Sequence, residues 1–286
     1  MVDGADGVDG MVLLAEGREA EVFLRGDGRV VKLQREASGR AGERVRREAL
    51  ALGILDGAGI DAPAVIDEVV VDGRPGLVLE RVEGDDLLTR LGRQPQAVFR
   101  GGRVMGQVHA AMHETVAPAV LPDVRDPLRR RIERDSPLPG DLRTAALAVL
   151  DGLPEGDRLC HGDLHLANLL GEWAAPVVID WGDAARGDPL ADHARTALLH
   201  QVGVVPPGAP RAVRVLAPLG RRTLRSRYVA AYRRQRGYYG HGPVDADLFD
   251  RWTFVNAAAR FAAEIPAEHT QLLAALRGRA SVASAP

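Results

Sequence analysis

The sequence predicts an α+β protein: a small antiparallel β-sheet with one helix, followed by a larger, mainly helical part. Three observations predict it. Runs of β-branched residues separated by Gly-containing turns occupy residues 11–82 and enclose a single stretch with helical spacing. Apolar residues at helical spacing dominate from about residue 97 onward. One later block, 158–181, breaks that pattern and reads as strands around a loop rich in oxygen-bearing side chains.

In chain order, residues 1–10 are rich in Asp and Gly, lack the basic start and apolar core of a signal peptide, and read as a disordered leader. Segments 11–25 and 29–34 read as short strands split by Gly26-Asp27-Gly28, with Lys32 on the second. Segment 40–55 has Val45, Ala49, Leu52 and Leu55 on one helical face. Strands 65–71 and 77–82 follow, joined by Asp72-Gly73-Arg74-Pro75-Gly76, and Glu83-Gly84-Asp85-Asp86 reads as a loop entering a helix N-cap. Helical patterns then cover 97–113, 141–152, 189–201, 210–236, 246–264 and 267–278, and 158–181 reads strand–loop–strand–turn–strand with Gly171-Glu172 in the turn. The expected division is a leader at 1–10, a sheet-and-helix part at 11–83, a helical part at 84–279 and a disordered tail at 280–286. No internal repeat is present.

Bulk properties exclude several classes. A net charge of −2 gives no global argument for binding nucleic acid or membrane. No apolar run approaches the roughly 20 residues that span a bilayer. A single cysteine, Cys160, rules out an intramolecular disulfide framework, and a reduced, cytoplasmic setting is expected. Of the 37 basic residues, one is lysine, Lys32. Arg serves most surface roles of Lys, so the surviving Lys marks a place where a compact ammonium is needed, as on phosphates.

The chemistry concentrates in His161-Gly162-Asp163-Leu164-His165-Leu166-Ala167-Asn168 and in Ile179-Asp180-Trp181. A carboxylate, an amide five residues later and a second carboxylate twelve beyond that supply a base and hard oxygen ligands. Phosphoryl transfer asks a protein for positioning and charge neutralisation. Asp163 suits the base that takes the acceptor's proton. Asn168 and Asp180 suit Mg²⁺, which takes few protein ligands. Lys32 suits the phosphates, and Glu48, beside the apolar stripe of its helix, suits an ion pair with Lys32.

These residues, with Val31-Lys32 and Arg47-Glu48-Ala49-Leu50, resemble the aminoglycoside phosphotransferase family, small-molecule relatives of the protein kinases, over residues 14–265. The resemblance implies a bilobal kinase-like fold with a five-stranded sheet in the first lobe. It implies Asp163 as catalytic base, Asn168 and Asp180 as Mg²⁺ ligands, Lys32 on the α and β phosphates of ATP or GTP, and Glu48 as its partner. Leu79-Glu80-Arg81-Val82 resembles the family's hinge, where the Glu80 C=O and Val82 N–H would meet the base. Gly17-Arg18-Glu19-Ala20-Glu21-Val22 would be the nucleotide loop, with Gly17 its one glycine. Asp192, in Asp188-Pro189-Leu190-x-Asp192, would prop the catalytic loop. Gly162, between His161 and Asp163, favours the antibiotic-kinase branch and its broad small-molecule relatives over protein kinases and choline kinases. Asp183 lies five residues from Asp188-Pro189, too close for a protein-kinase activation loop.

Several residues also have plainer readings. Asp163 alone would suit a turn, Lys32 a strand edge and Glu48 an exposed pair with Arg44. Cys160, His161 and His165 have the residue types of a transition-metal site but no second cluster; His161 reads as a backbone partner, His165 has no assigned role, and His109 reads as a packed core histidine. Residues 193–244 hold ten Arg and no Asp or Glu, which reads as a solvated helix face. There is no Walker loop, Gly-x-Ser-x-Gly elbow or His-Glu-x-x-His.

The acceptor is expected to be a hydroxylated small molecule, first a cationic antibiotic (an aminoglycoside or basic peptide), held by carboxylates. Asp183 and Glu264 are the candidates, with Asp245, Asp247 and Asp250 behind them. An aromatic content of 4% speaks against the aromatic box that a quaternary ammonium favours. A metabolic kinase for a sugar, amino alcohol or nucleoside is the alternative, and a nucleotide-binding pseudoenzyme a third. A monomer or homodimer, without nucleic-acid or membrane partners, is expected.

Overall fold

A computed structural model describes residues 10–134, 137–202, 211–261 and 265–279. The expected tail, nearly all of the leader and Glu264 lie outside the described residues. The elements run β1 (Val12–Glu16), β2 (Ala20–Leu24), β3 (Val30–Gln34), α1 (Gly39–Leu55), β4 (Val65–Val71), β5 (Arg74–Leu79), α2 (Leu87–Arg93), α3 (Val98–Met112), α4 (Arg125–Glu133) and α5 (Gly140–Asp151). They continue β6 (Arg158–Cys160), β7 (Leu169–Glu172), β8 (Ala175–Val178), β9 (Ala185–Gly187), α6 (Pro189–Val202), α7 (Arg211–Tyr238), α8 (Ala246–Phe261) and α9 (His269–Arg277). The α+β class is as expected. No helix among the described residues is long and apolar enough to cross a membrane.

The chain divides into two compact units, one of residues 1–89 with 167–184, the other of 90–166 with 185–286. The expected cut at 83/84 is a single point in the chain, whereas this grouping returns 167–184 to the first unit.

The first unit is built on a five-stranded antiparallel sheet in the order β1-β2-β3-β5-β4. Alternation along β3 puts Val31 and Leu33 on one face, where they pack with Val78 and, at the edges, Met11, Phe23, Val69 and Val71. Lys32 points to the other face, opposite Leu77 in the ladder. Ser38 caps α1 by accepting from the Ala41 N–H at 3.2 Å. Buried Ala41, Val45, Glu48, Ala51, Leu52 and Leu55 form the inner face of that helix. Hairpin β7–β8 completes the unit.

The second unit is helical, with β6 and β9 paired antiparallel. Helix α3 meets α7 along Gly102 and Gly106. A Cβ on Gly106 would lie 2.5 Å from the Tyr228 carbonyl oxygen, and one on Gly102 2.6 Å from that of Leu224. Further along the same stripe, His109 and His113 meet Tyr228 and Tyr232. Those two tyrosines are buried in the helix pair, which removes them from any role as exposed stacking groups. Arg222, Arg227, Arg233 and Arg234 of α7 are exposed, as a solvated basic face requires.

The sequence reading missed two elements, α4 and β9, and marked α2 only through the helix N-cap read at 83–86. Helix α4 is so charged that Leu128 and Ile132 are its only buried residues, and α2 buries only Leu87. Strand β9 is three residues long and has no β-branched side chain. The turn expected at Gly171-Glu172 falls at Trp173-Ala174, because Gly171 stays in the ladder opposite Pro176. The run 11–25 is broken at 17–19, where the Gly17 N–H donates to the Ala20 C=O at 2.8 Å.

Gly106→Val is expected to separate α3 from α7 and lower stability by about 1–3 kcal/mol or more, as overpacking does. Urea unfolding of the variant beside Gly220→Ala, at a position with open space around a Cβ, measures it.

Candidate active site

In the first unit, Lys32 is the centre of a charge cluster. Its Nζ lies 2.7 and 2.8 Å from the Glu48 carboxylate oxygens and 2.7 Å from Asp180 Oδ1. Helix α1 presents Glu48 from a fully covered position, with 2% of its side chain exposed against 38% for Asp180. Burial pushes the Lys32 pKa down, but Glu48 and Asp180 together outweigh it, so the ammonium titrates above its usual range. One turn before Glu48, Arg44 Nη1 donates to Asp183 Oδ1 at 3.0 Å, and its Nη2 lies 4.0 Å from Asp180 Oδ1. The exposed Glu48–Arg44 pair that one reading of α1 allowed is thus replaced by two separate pairs.

Asp180 has φ 64°, in the left-handed region that Asp tolerates better than most residues. The next residue fixes that turn: Trp181 is fully buried and its Nε1–H donates to the Val178 C=O at 3.0 Å. The Ile179 N–H donates to the Asn168 C=O at 3.0 Å, so Asn168 and Asp180 close the same end of the β7–β8 hairpin. An amide and a carboxylate are hard oxygen donors of the kind Mg²⁺ takes, and this pair fits that ion.

Gly17 opens the β1–β2 turn, where Arg35 Nε donates to its carbonyl at 2.8 Å. Glu80 and Val82 follow β5 outside regular secondary structure. The Glu80 N–H donates to the Ala64 C=O at 2.9 Å, and Glu80 Oε2 accepts from the Ala64 N–H at 3.3 Å.

In the second unit, Asp163 follows a loop held from inside by Asp192. The Asp192 carboxylate accepts from the His161 N–H at 2.5 Å and the Gly162 N–H at 3.1 Å. Gly162 needs its freedom here, with φ 82°. Asp192 Oδ2 also faces His109 Nε2 at 3.1 Å and His113 Nε2 at 3.5 Å. Behind them the Tyr228 hydroxyl bonds His109 Nδ1 and His193 Nδ1, each at 2.8 Å, and the Tyr232 hydroxyl bonds His113 Nδ1 at 2.7 Å. Burial opposes the Asp192 charge, but the two histidines outweigh it and hold the carboxyl well below its usual range. His113 is pushed down to about 4 by burial and by His109. His109, His113 and Asp192 are the one group of metal-ligand type among the described residues whose ligand atoms lie within 4.8 Å, and hydrogen bonds engage all three. Cys160, His161 and His165 form no such group. His161 is a backbone partner, its Nδ1 facing the Asp163 N–H at 3.2 Å.

Asp163 itself is flanked by a guanidinium and an imidazole. Arg195 of α6 places Nη2 3.1 Å from Oδ1 and donates through Nε to the Gly162 C=O. His165 Nε2 lies 3.6 Å from Oδ2. Burial raises the Asp163 pKa, but His165, Arg195 and His161 outweigh it and hold the carboxyl well below its usual range. Sequence reasoning passed over Arg195, counting it in the basic strip. The available signal was its position three residues after Asp192, one turn along the same helix face.

Of the acceptor candidates, Asp183, Asp245 and Asp250 have other partners and Glu264 lies outside the described residues. Asp183 pairs with Arg44. Asp245 Oδ1 accepts from the Asp247 and Leu248 N–H groups at the start of α8, and Asp250 pairs with Arg279 at 2.9 Å. Glu264 is not described.

A sheet with a lysine-bearing central strand, and a helical unit carrying a His-Gly-Asp loop, define a small-molecule kinase. The chain belongs to the phosphotransferase enzyme family (APH), whose family model matches residues 11–216. Solved structures with a similar fold include APH(3'')-Id from Streptomyces rimosus in complex with ADP and streptomycin. That match has 19% identity, covers 90% of this chain and 94% of that one, and has a TM-score of 0.58. APH(2")-IIia in complex with GDP and kanamycin matches at 17% identity, over 98% and 95%, with a TM-score of 0.57. Choline kinase from Cryptosporidium parvum matches at 12% identity, over 96% and 88%, with a TM-score of 0.58. Among curated proteins there is no sequence match.

Two outcomes are expected. Lys32→Ala leaves Glu48 buried without its cation and lowers stability by about 3 kcal/mol or more, read by urea unfolding. Asp192 is depressed in the folded state, so the stability it contributes is present above its unfolded pKa of about 3.9 and lost as pH falls below it. Asp192→Asn therefore flattens the acid side of the stability profile between about pH 5 and pH 2, measured by urea midpoints across that range.

Proposed function

We propose that the protein transfers the γ-phosphoryl group of ATP or GTP to a hydroxyl of a small molecule, with Mg²⁺. The observation that carries this reading is the Lys32 ammonium held within 2.8 Å of both Glu48 and Asp180. An ammonium held in place, its proton well retained, beside the Asp180 carboxylate suits the charge neutralisation that phosphoryl transfer needs. Lys32 holds the α and β phosphates, and Glu48 fixes the direction of its amine. Asn168 and Asp180 would hold Mg²⁺, which supplies charge neutralisation on the phosphates when bound. Glu80 and Val82 offer backbone groups to the base, and Gly17 opens the loop that covers the phosphates. Asp163 orients the acceptor hydroxyl and takes its proton.

For the acceptor, the first reading is a cationic antibiotic, an aminoglycoside or basic peptide, inactivated by phosphorylation. Its support is family membership and the fold shared with enzymes solved with kanamycin and streptomycin. The second reading, a metabolic kinase for a sugar, amino alcohol or nucleoside, is favoured by one observation. Two of the four described carboxylates expected to attract ammonium groups carry arginines instead, Arg44 on Asp183 and Arg279 on Asp250. Arg195 and Arg260 also act electrostatically on Asp163.

Release of nucleoside diphosphate over a panel of hydroxylated acceptors tests both. Asp163→Asn is expected to lower kcat by at least about 100-fold with little change in nucleotide affinity. Turnover with cationic antibiotics supports the first reading and turnover confined to metabolites the second. Nucleotide binding without Asp163-dependent turnover identifies a pseudoenzyme and overturns the proposal.

A further inference from the structure

The two oxygens of Asp163 face different chemistry, and that difference assigns a role to His165. We propose that His165 is the proton acceptor behind Asp163, taking through its Nε2 the proton that Asp163 Oδ2 receives from the acceptor hydroxyl. The proposal rests on the phosphotransferase reading above.

Oδ1 is committed to Arg195 at 3.1 Å, and a guanidinium has no lone pair with which to accept a proton. Arg195 is itself anchored through Nε to the Gly162 carbonyl, with 10% of its side chain exposed. Oδ2 faces the imidazole of His165, which accepts a proton through Nε2 when Nδ1 carries the hydrogen. The His165 side chain is 37% exposed, open enough to pass that proton on to water. The 3.6 Å separation is longer than a hydrogen bond, and such contacts in ligand-free sites tighten when substrate is bound.

The charge environment explains why a second acceptor is needed. Among the described residues, the groups facing Asp163 and His165 include Arg195 and His200 on α6, Arg260 on α8 and His161 in the loop. Arg195 remains beside Asp163 whether or not His165 carries a charge, so a proton on the carboxyl does not persist at neutral pH. A neutral imidazole has a lone pair on one ring nitrogen and a hydrogen on the other, so it can both take and release a proton, which suits the terminal acceptor. The step balances as follows. The acceptor oxygen bonds to the γ-phosphorus as the bond from that phosphorus to the bridging oxygen breaks. The electron pair leaves on the nucleoside diphosphate. The hydroxyl proton passes to Asp163 Oδ2, then to His165 Nε2, and the imidazolium releases its Nδ1 or Nε2 proton to water.

The competing role for His165 is a fixed positive charge beside Asp163, which a lysine would also supply. His165→Ala and His165→Lys are therefore compared with wild type by nucleoside diphosphate release, using the best acceptor from the panel and water alone. Both variants are expected to lose about 10- to 100-fold in kcat, with nucleotide KM changed less than twofold. Added imidazole restores His165→Ala and leaves His165→Lys and Asp163→Asn unchanged. Wild-type kcat in His165→Lys, or no imidazole rescue of His165→Ala, overturns the proposal. A second measurement is independent of turnover: the ¹⁵Nε2 resonance of His165 in the full chain moves in Asp163→Asn, and an unmoved resonance also overturns it. Absence of Asp163-dependent turnover in wild type is a failure of the phosphotransferase reading, and the resonance then decides the Asp163–His165 contact alone.

Discussion

Asp192 is a buried negative charge that must be answered from all sides, and the second unit is arranged around that demand. A carboxylate removed from water costs several kcal/mol unless hydrogen bonds replace its hydration. Two backbone N–H groups of the His161–Gly162 segment supply part of that replacement. This requirement fixes the loop that ends in Asp163. His109 Nε2 adds a contact at 3.1 Å and His113 Nε2 stands 3.5 Å away, which demands that the end of α3 place them one turn apart on the side toward Asp192. Tyr228 and Tyr232 then hold the outer ring nitrogens, which sets the register of α7 on α3. The glycines at 102 and 106 let the two helices approach closely enough for those hydroxyls to reach. Helix packing and loop geometry are thus one polar problem with one solution.

The first unit solves a different problem with opposite signs. There the buried group is a cation, and the β-strand alternation that buries Val31 and Leu33 on one face delivers Lys32 to the other. Glu48 and Asp180 converge on it from a helix and from a left-handed turn. Arg44 continues the alternation of charge to Asp183. Neither carboxylate beside Lys32 is left to repel the other, because the ammonium stands between them.

Much of this was legible in the sequence because it is local or motif-bound. Strand alternation, the α1 stripe and the solitary Lys32 located the sheet and its cation. The spacing of Asp163, Asn168 and Asp180 marked the loop and hairpin, since chain neighbours cannot separate far. What stayed hidden depends on contacts across long stretches of chain. His109, as a histidine on an apolar face, gave no sign that its partners lie 83 and 119 residues away. Arg195 looked like one more arginine in a basic strip, and only folding brings its guanidinium back to the loop of residue 163. Asp183 looked available for a ligand because Arg44 is 139 residues distant in sequence. Helix α4 was invisible for a simpler reason: two buried positions make too short a periodic signal.

The solitary lysine has a consequence for chemical labelling. An amine-directed reagent finds only one side-chain target in this chain, and that target is largely covered and held by two carboxylates. A reagent that needs the neutral amine meets a group whose proton is unusually well retained. The rate of acylation at Lys32 is then a clock for the opening of its pairs with Glu48 and Asp180, read from a single labelled peptide without a background of other lysines.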